Sequence, residues 1–292
     1  MKVQGKPILK SPLRYPGGKS FLVPYVVRFL ELNKLKPRIF VEPFAGGASI
    51  SLALLGLDLV ENVALYDSDP LITGFWKVVF RDGIWLQEMV EREQINLEQW
   101  EALRRCTAQS DRENAWKCLF LNRTSFSGIL TQKAGPIGGK AQSSIYKIDC
   151  RFYRETLKKR LQDLWSVRDR VQEITKTDWG DVVQRNKNAI SVDGKDDRVF
   201  YFDPPFFHKA EILYNKFFKY QDHEMLIKTL STFDAPWLLS YDHCNEVIEL
   251  FNRYDLKYKE IPVRYTSSAQ QVRKEKLELV ASNLSLPEEQ SE

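Results

Sequence analysis

The chain has no unbroken apolar stretch of the roughly 18 residues or more that a membrane-spanning helix needs. No apolar run follows the charged opening Met1-Lys2-Val3-Gln4-Gly5-Lys6-Pro7 either. Neither a membrane anchor nor a secretory leader is therefore expected, and the cytoplasm is the expected location. Cysteine and histidine are scarce. Cys106, Cys118, Cys150 and Cys244 are far apart and form no C-x-x-C pair, and His208, His223 and His243 are no better grouped, so no metal is expected. Scattered thiols fit a reducing compartment better than a disulfide framework. The dinucleotide signature G-x-G-x-x-G is also missing.

What is present suffices for a large core, because the 292 residues are 43% apolar. The net charge of +4 is unevenly spread. Between Arg104 and Arg170 there are 15 Lys and Arg against 6 Asp and Glu, a local +9 that leaves −5 for the rest. Such a block suits a phosphate-facing surface, and a solvated helical face would look the same in charge alone.

Apolar, strand-like runs occur at Arg38–Val41, Val63–Tyr66, Val199–Phe202, Trp237–Ser240 and Leu277–Ala281. Helix-period spacing falls between them at Phe21–Leu30, Ser49–Leu55, Leu71–Val79, His223–Leu230 and Asn245–Phe251. This alternation predicts an α/β fold: a doubly wound, mostly parallel sheet with helices on both faces. It breaks over residues 80–165, where mainly helical patterns surround a loop-like stretch at Ser125–Ser144, and resumes near Val171-Gln172-Glu173-Ile174. The expected organisation is a core made from residues 1–79 and 166–285, a mainly helical inserted domain at 80–165, and an acidic disordered tail at 286–292.

Four segments carry chemistry. Val41-Glu42-Pro43-Phe44-Ala45-Gly46-Gly47-Ala48-Ser49 reads as a strand entering a glycine turn and then a helix, where bare backbone lets a ligand approach and helix N–H groups receive it. Tyr66-Asp67-Ser68-Asp69-Pro70 puts a carboxylate at the next strand end, about 20 residues on, suited to a ribose diol; capping of the following helix is the alternative use. Asp203-Pro204-Pro205-Phe206 follows the run Val199–Phe202. Two prolines make a rigid exit, so the Asp203 carboxylate and Pro204 carbonyl can accept the hydrogens of an exocyclic amine while Phe206 stacks on the base. Leu13-Arg14-Tyr15-Pro16-Gly17-Gly18-Lys19-Ser20 ends like a phosphate-binding loop, but Leu13 stands where that loop needs its first glycine, which argues against an NTPase.

In this order the segments resemble the Dam-type class of site-specific DNA (adenine-N6) methyltransferases, with Tyr15-Pro16-Gly17-Gly18-Lys19 as the N-terminal phrase and Leu121-Asn122-Arg123 as the phrase of the target-recognition insert. The resemblance covers nearly the whole chain. It implies an S-adenosyl-L-methionine-dependent enzyme that flips an adenine from double-stranded DNA, with residues 80–165 as recognition insert and a cognate restriction endonuclease as a possible partner. Tyr15, Gly17, Gly18 and Lys19 would bind the cofactor together with Glu42, Pro43, Phe44, Gly46 and Gly47. Asp67 would meet its ribose, Asp178-Trp179 its adenine, and Asp203 the reaction centre. Phe206 stands where the family more often has Tyr, keeping the stacking face without the hydroxyl. In the insert, Arg123, Ser125, Lys133, Lys140 and Lys147 are the DNA-binding candidates. Cytosine ring-carbon methylation needs a cysteine after proline, whereas Arg105, Lys117, Asp149 and His243 precede the four cysteines. N4-cytosine or RNA methylation would use the same chemistry, and a silent nucleic-acid-binding module would have no need of Lys19 or Asp203.

Overall fold

A computed structural model describes residues 2–3, 6–7, 9–187, 197–208, 210–263 and 276–288. Strands β1 (Lys2–Val3) and β2 (Lys6–Pro7) form a small antiparallel pair apart from the main sheet. Helix α1 (Val23–Leu32), strand β3 (Ile39–Glu42), helix α2 (Ser49–Gly56), strand β4 (Asn62–Asp67) and helix α3 (Pro70–Arg81) follow. Four helices then come without a strand: α4 (Gly83–Arg92), α5 (Leu97–Arg105), α6 (Asp111–Thr124) and α7 (Arg154–Trp165). The alternation resumes with β5 (Val171–Lys176), α8 (Trp179–Asn186), β6 (Arg198–Phe202), α9 (Ala210–Leu213), α10 (Tyr220–Leu230), β7 (Trp237–Asp242) and α11 (Asn245–Arg253). Strands β8 (Tyr258–Val263) and β9 (Lys276–Ser282) end the sheet.

The seven strands lie in the order β5-β4-β3-β6-β7-β9-β8. The first five in that order are parallel, and β9 runs antiparallel between β7 and β8. From β3 the chain builds outward through β4 and β5, then returns to the other flank of β3 as β6. That reversal opens a crevice at the carboxyl ends of β3 and β6, where ligands of such sheets bind.

Strand side chains alternate between two hydrophobic clusters, as a pleated sheet buried on both faces requires. Phe40, Val63, Leu65, Val199 and Tyr201 face one layer together with α1–α7. Val41, Ala64, Phe200, Phe202 and Leu239 face the other, under α8, α10 and α11. Helices α4–α7 share the first cluster through Leu86, Trp116, Phe120 and Leu161. Residues 80–165 thus extend the layer over α3 and do not enclose a core of their own. Contact there is close: a Cβ on Gly74 of α3 would lie 2.5 Å from the Asn114 Cβ of α6.

Strand β8 is unanticipated, because Tyr-Lys-Glu-Ile-Pro-Val mixes charge with a proline, a composition tolerated at a sheet edge. Of the segment 286–292 expected to be a tail, residues 286–288 are described. Pro287 is buried and Lys259 Nζ lies 2.6 Å from Glu288 Oε1, while residues 289–292 lie outside the described residues. Among the described residues no helix is long and apolar enough to cross a membrane.

Candidate active site and cofactor cleft

A cleft of about 670 Å³ occupies the crevice at the strand ends, a volume suited to a small organic ligand. On its floor the Glu42 carboxylate accepts the Ser51 N–H at 2.8 Å, and burial pushes its pKa up to about 8. Pro43, Phe44, Gly46 and Gly47 continue the wall. Gly46 adopts φ +42°, its N–H donates to Asp67 Oδ2 at 3.0 Å, and its carbonyl accepts Trp76 Nε1–H at 2.9 Å. A side chain at Gly46 would collide with the Tyr15 ring, 2.7 Å from the Cβ position, so the glycine turn and the N-terminal phrase fit as one surface.

Asp67 ends β4 and Asp69 follows it, both on the cleft wall. Asp69 caps α3, accepting the Leu71 N–H at 2.8 Å, and its second oxygen accepts from Asn215 at 2.9 Å. Asp67 faces the cleft, where burial and neighbouring Asp69 push its pKa up to about 7. On the far wall Asp178 caps α8 through the Gly180 N–H at 2.9 Å, and Trp179 lines the cleft from a buried position.

At the end of β6 the cleft reaches Asp203, Pro204 and Pro205. Lys19, 3% exposed, lies 3.3 Å from Asp203 Oδ1 and 3.3 Å from Glu278 Oε2 on β9. Ser240 of β7 donates to the same Asp203 oxygen at 3.0 Å and sits 2.8 Å from the Tyr201 hydroxyl. Burial raises the Asp203 pKa while Lys19 and Ser240 oppose the shift. Ser240 and Glu278, which contact Asp203 and Lys19, do not stand out in the sequence, because each lies within an apolar strand and meets these residues only through the strand order.

Gly18 and Lys19 line the cleft with Tyr15, whereas Gly17 and Phe206 lie outside its wall. Phe206 is half-buried, 2.9 Å from where a Gly17 Cβ would stand, with Lys19 Nζ 5.1 Å from its ring centroid. Gly17 at φ +78° leaves room for that ring. Tyr214 packs beside both, stacking on Tyr15 at 5.8 Å and donating to the Pro16 carbonyl at 3.1 Å.

The insert candidates separate sharply. Arg123 is 6% exposed and its guanidinium donates to the Pro12 carbonyl; Ser125 is fully buried and accepts Trp100 Nε1–H at 3.1 Å. Both side chains are directed to partners inside the protein. Lys133, Lys140 and Lys147 are exposed, and Lys133 lies 3.6 Å from Glu211. Phe126, unanticipated, is 67% exposed on a turn held by Ser127 at φ +55°. The Leu-Asn-Arg phrase works inward: Asn122 accepts the Arg14 N–H at 2.6 Å and donates to the Arg14 and Gly128 carbonyls at 3.2 and 2.8 Å.

Glu42, Asp67, Asp69 and Asp203 share one buried cleft, and burial holds all four above the ordinary carboxylate range. A donor set so rich in carboxylates fits a cofactor that brings its own positive charge, as a sulfonium with an ammonium group does. Fold and cleft together define an α/β protein with a mostly parallel sheet and a carboxylate-rich cleft at its strand ends. The family model of the D12 class N6 adenine-specific DNA methyltransferases matches residues 15–268, and the chain belongs to that family. It is therefore an enzyme that transfers methyl from S-adenosylmethionine to N6 of a flipped adenine in DNA. No individual curated protein matches the chain.

Proposed function

We propose that Asp203 and the Pro204 carbonyl accept the two hydrogens of the adenine amine and so turn its lone pair toward the methyl donor. The carrying observation is the hold on Asp203: Lys19 at 3.3 Å and Ser240 at 3.0 Å both engage Oδ1, and Oδ2 is the atom left for the amine. S-adenosylmethionine, when bound, supplies an activated methyl group, so the chain's task is alignment. Asp67 would accept the ribose hydroxyls, Trp179 would pack on the cofactor base, and Glu42 and Tyr15 would close the methionine end; their positions on the cleft wall support these roles. The Phe206 ring, braced by Gly17 and Tyr214, would turn toward the flipped base as a stacking face.

Residues 80–165 form the target-recognition layer in this reading, and the duplex substrate is double-stranded DNA, from which a base must be flipped to reach the cleft. Support comes from exposed Lys133, Lys140 and Lys147, from exposed Phe126, and from the Thr131 hydroxyl donating to the Ile212 carbonyl at 2.8 Å, which joins this layer to the segment after Asp203. The deciding experiment is labelled-methyl transfer to unmethylated duplex DNA. Asp203→Asn should lose transfer by about a hundredfold or more with its fold intact, and an Asp203→Asn enzyme at the wild-type rate would refute the assignment.

A further inference from the structure

His208, Cys244 and Glu246 belong to two different segments, yet one donor atom from each lies within 4.8 Å of the others. His208 follows the Asp203–Phe206 exit, while Cys244 stands at the N-cap position of α11, its side chain making no capping bond, and Glu246 lies in the first turn. The closest pair is His208 Nε2 to Glu246 Oε1 at 3.4 Å. None of the three lines the cofactor cleft. His243, their neighbour in sequence, is engaged elsewhere, 3.5 Å from Glu260.

We propose that these three side chains bind a zinc-class, thiophilic divalent cation, with solvent completing a four-coordinate shell. One imidazole nitrogen, one sulfur and one carboxylate oxygen form a set that suits zinc and excludes magnesium and calcium, which take oxygen ligands. The side chains of His208 and Glu246 are 57% and 42% exposed, so an ion reaches them from solvent and modest rotations bring their donors to bonding distance. Cys244 is half-buried beside them. The thiol proton leaves to solvent as the sulfur–metal bond forms. The surroundings are pre-set for it: Phe207 donates its N–H to Asp242 Oδ1 at 3.0 Å, holding the segment beside α11. The ion takes no part in methyl transfer; it ties the segment behind the catalytic exit to α11.

Cobalt(II) added to the full chain with a non-thiol reductant tests this without reference to activity. A thiolate-to-cobalt absorption band should appear, vanish on zinc addition, be lost in Cys244→Ser and persist in Cys106→Ser. His208→Gln and Glu246→Gln, at exposed positions where folding is little affected, should each weaken cobalt binding by about tenfold or more. The proposal fails if the wild-type band is absent, if it survives in Cys244→Ser or is lost in Cys106→Ser, or if both exposed-residue variants bind cobalt as tightly as wild type.

Discussion

Protonation of single carboxylates governs the cleft at the residue scale. In the proposed role Asp67 accepts two ribose hydroxyls in its ionised form, and its pKa of about 7 places that requirement near neutrality. Cofactor affinity should therefore tighten as pH rises through about 7. Calorimetric titration across that range checks it: Asp67→Asn should bind about tenfold or more weakly at high pH and lose the pH dependence. Glu42 has the same direction of shift with a stability consequence. A folded-state pKa of about 8 against 4.5 when unfolded means that the folded protein binds the extra proton. Its contribution is complete below about 4.5 and is lost as pH rises toward about 8. Thermal melts of the cofactor-free protein should show Glu42→Gln, which keeps an acceptor for Ser51, narrowing the fall in Tm between those limits. A Glu42→Gln profile parallel to wild type would contradict the buried, protonated state.

Among the elements, the central strands were readable because β3, β4, β6 and β7 are apolar on both faces, and no other element type fits short β-branched and aromatic runs between glycine and aspartate turns. The edge was not, since β8 needs only one apolar face and carries Pro262. Helix α6 shows a different limit. Its Arg123 looks like a nucleic-acid ligand by residue type, but Arg123 and neighbouring Asn122 are buried and grip the chain near Pro12 and Arg14, more than a hundred residues away in sequence. Composition carries no information about that distance. Lys19 and Asp203 were legible from their phrases, whereas Glu278 beside Lys19 and Ser240 beside Asp203 were not, because only the strand order brings β7 and β9 next to them. The grip of α6 has a testable result. Asn122→Ala leaves the Arg14 backbone and the Gly128 carbonyl without these partners, at a cost of roughly 1–3 kcal/mol. It should loosen the segment bearing Tyr15 and Lys19, so KM for the cofactor should rise more than KM for DNA. Equal changes in both would indicate general unfolding.

Charge separates across the whole molecule where packing does not. One hydrophobic layer runs from α1 to α7, so residues 80–165 are not structurally detached, yet the Arg104–Arg170 block holds 15 basic against 6 acidic residues. Many of those cations are already committed: Arg104, Arg123 and Arg160 donate to backbone carbonyls, Lys158 pairs with Glu91, and Arg170 pairs with Asp58. The number available to phosphates is thus well below the number of basic residues; exposed Lys140 is the strongest candidate, and exposed Lys147 follows, its Nζ donating only to the nearby Gln142 carbonyl of the same loop. Each phosphate contact releases counterions, so removing one lowers the slope of log affinity against log salt by about one. Lys140→Ala and Lys147→Ala should each do so, weakening binding equally for cognate and unrelated duplexes while leaving cofactor affinity unchanged. Lys159→Ala, exposed on α7 and 3.3 Å from Asp163, should leave the slope as it is. A slope that responds equally to all three would mean that the basic block acts as a diffuse field and that these two lysines are not a docking surface.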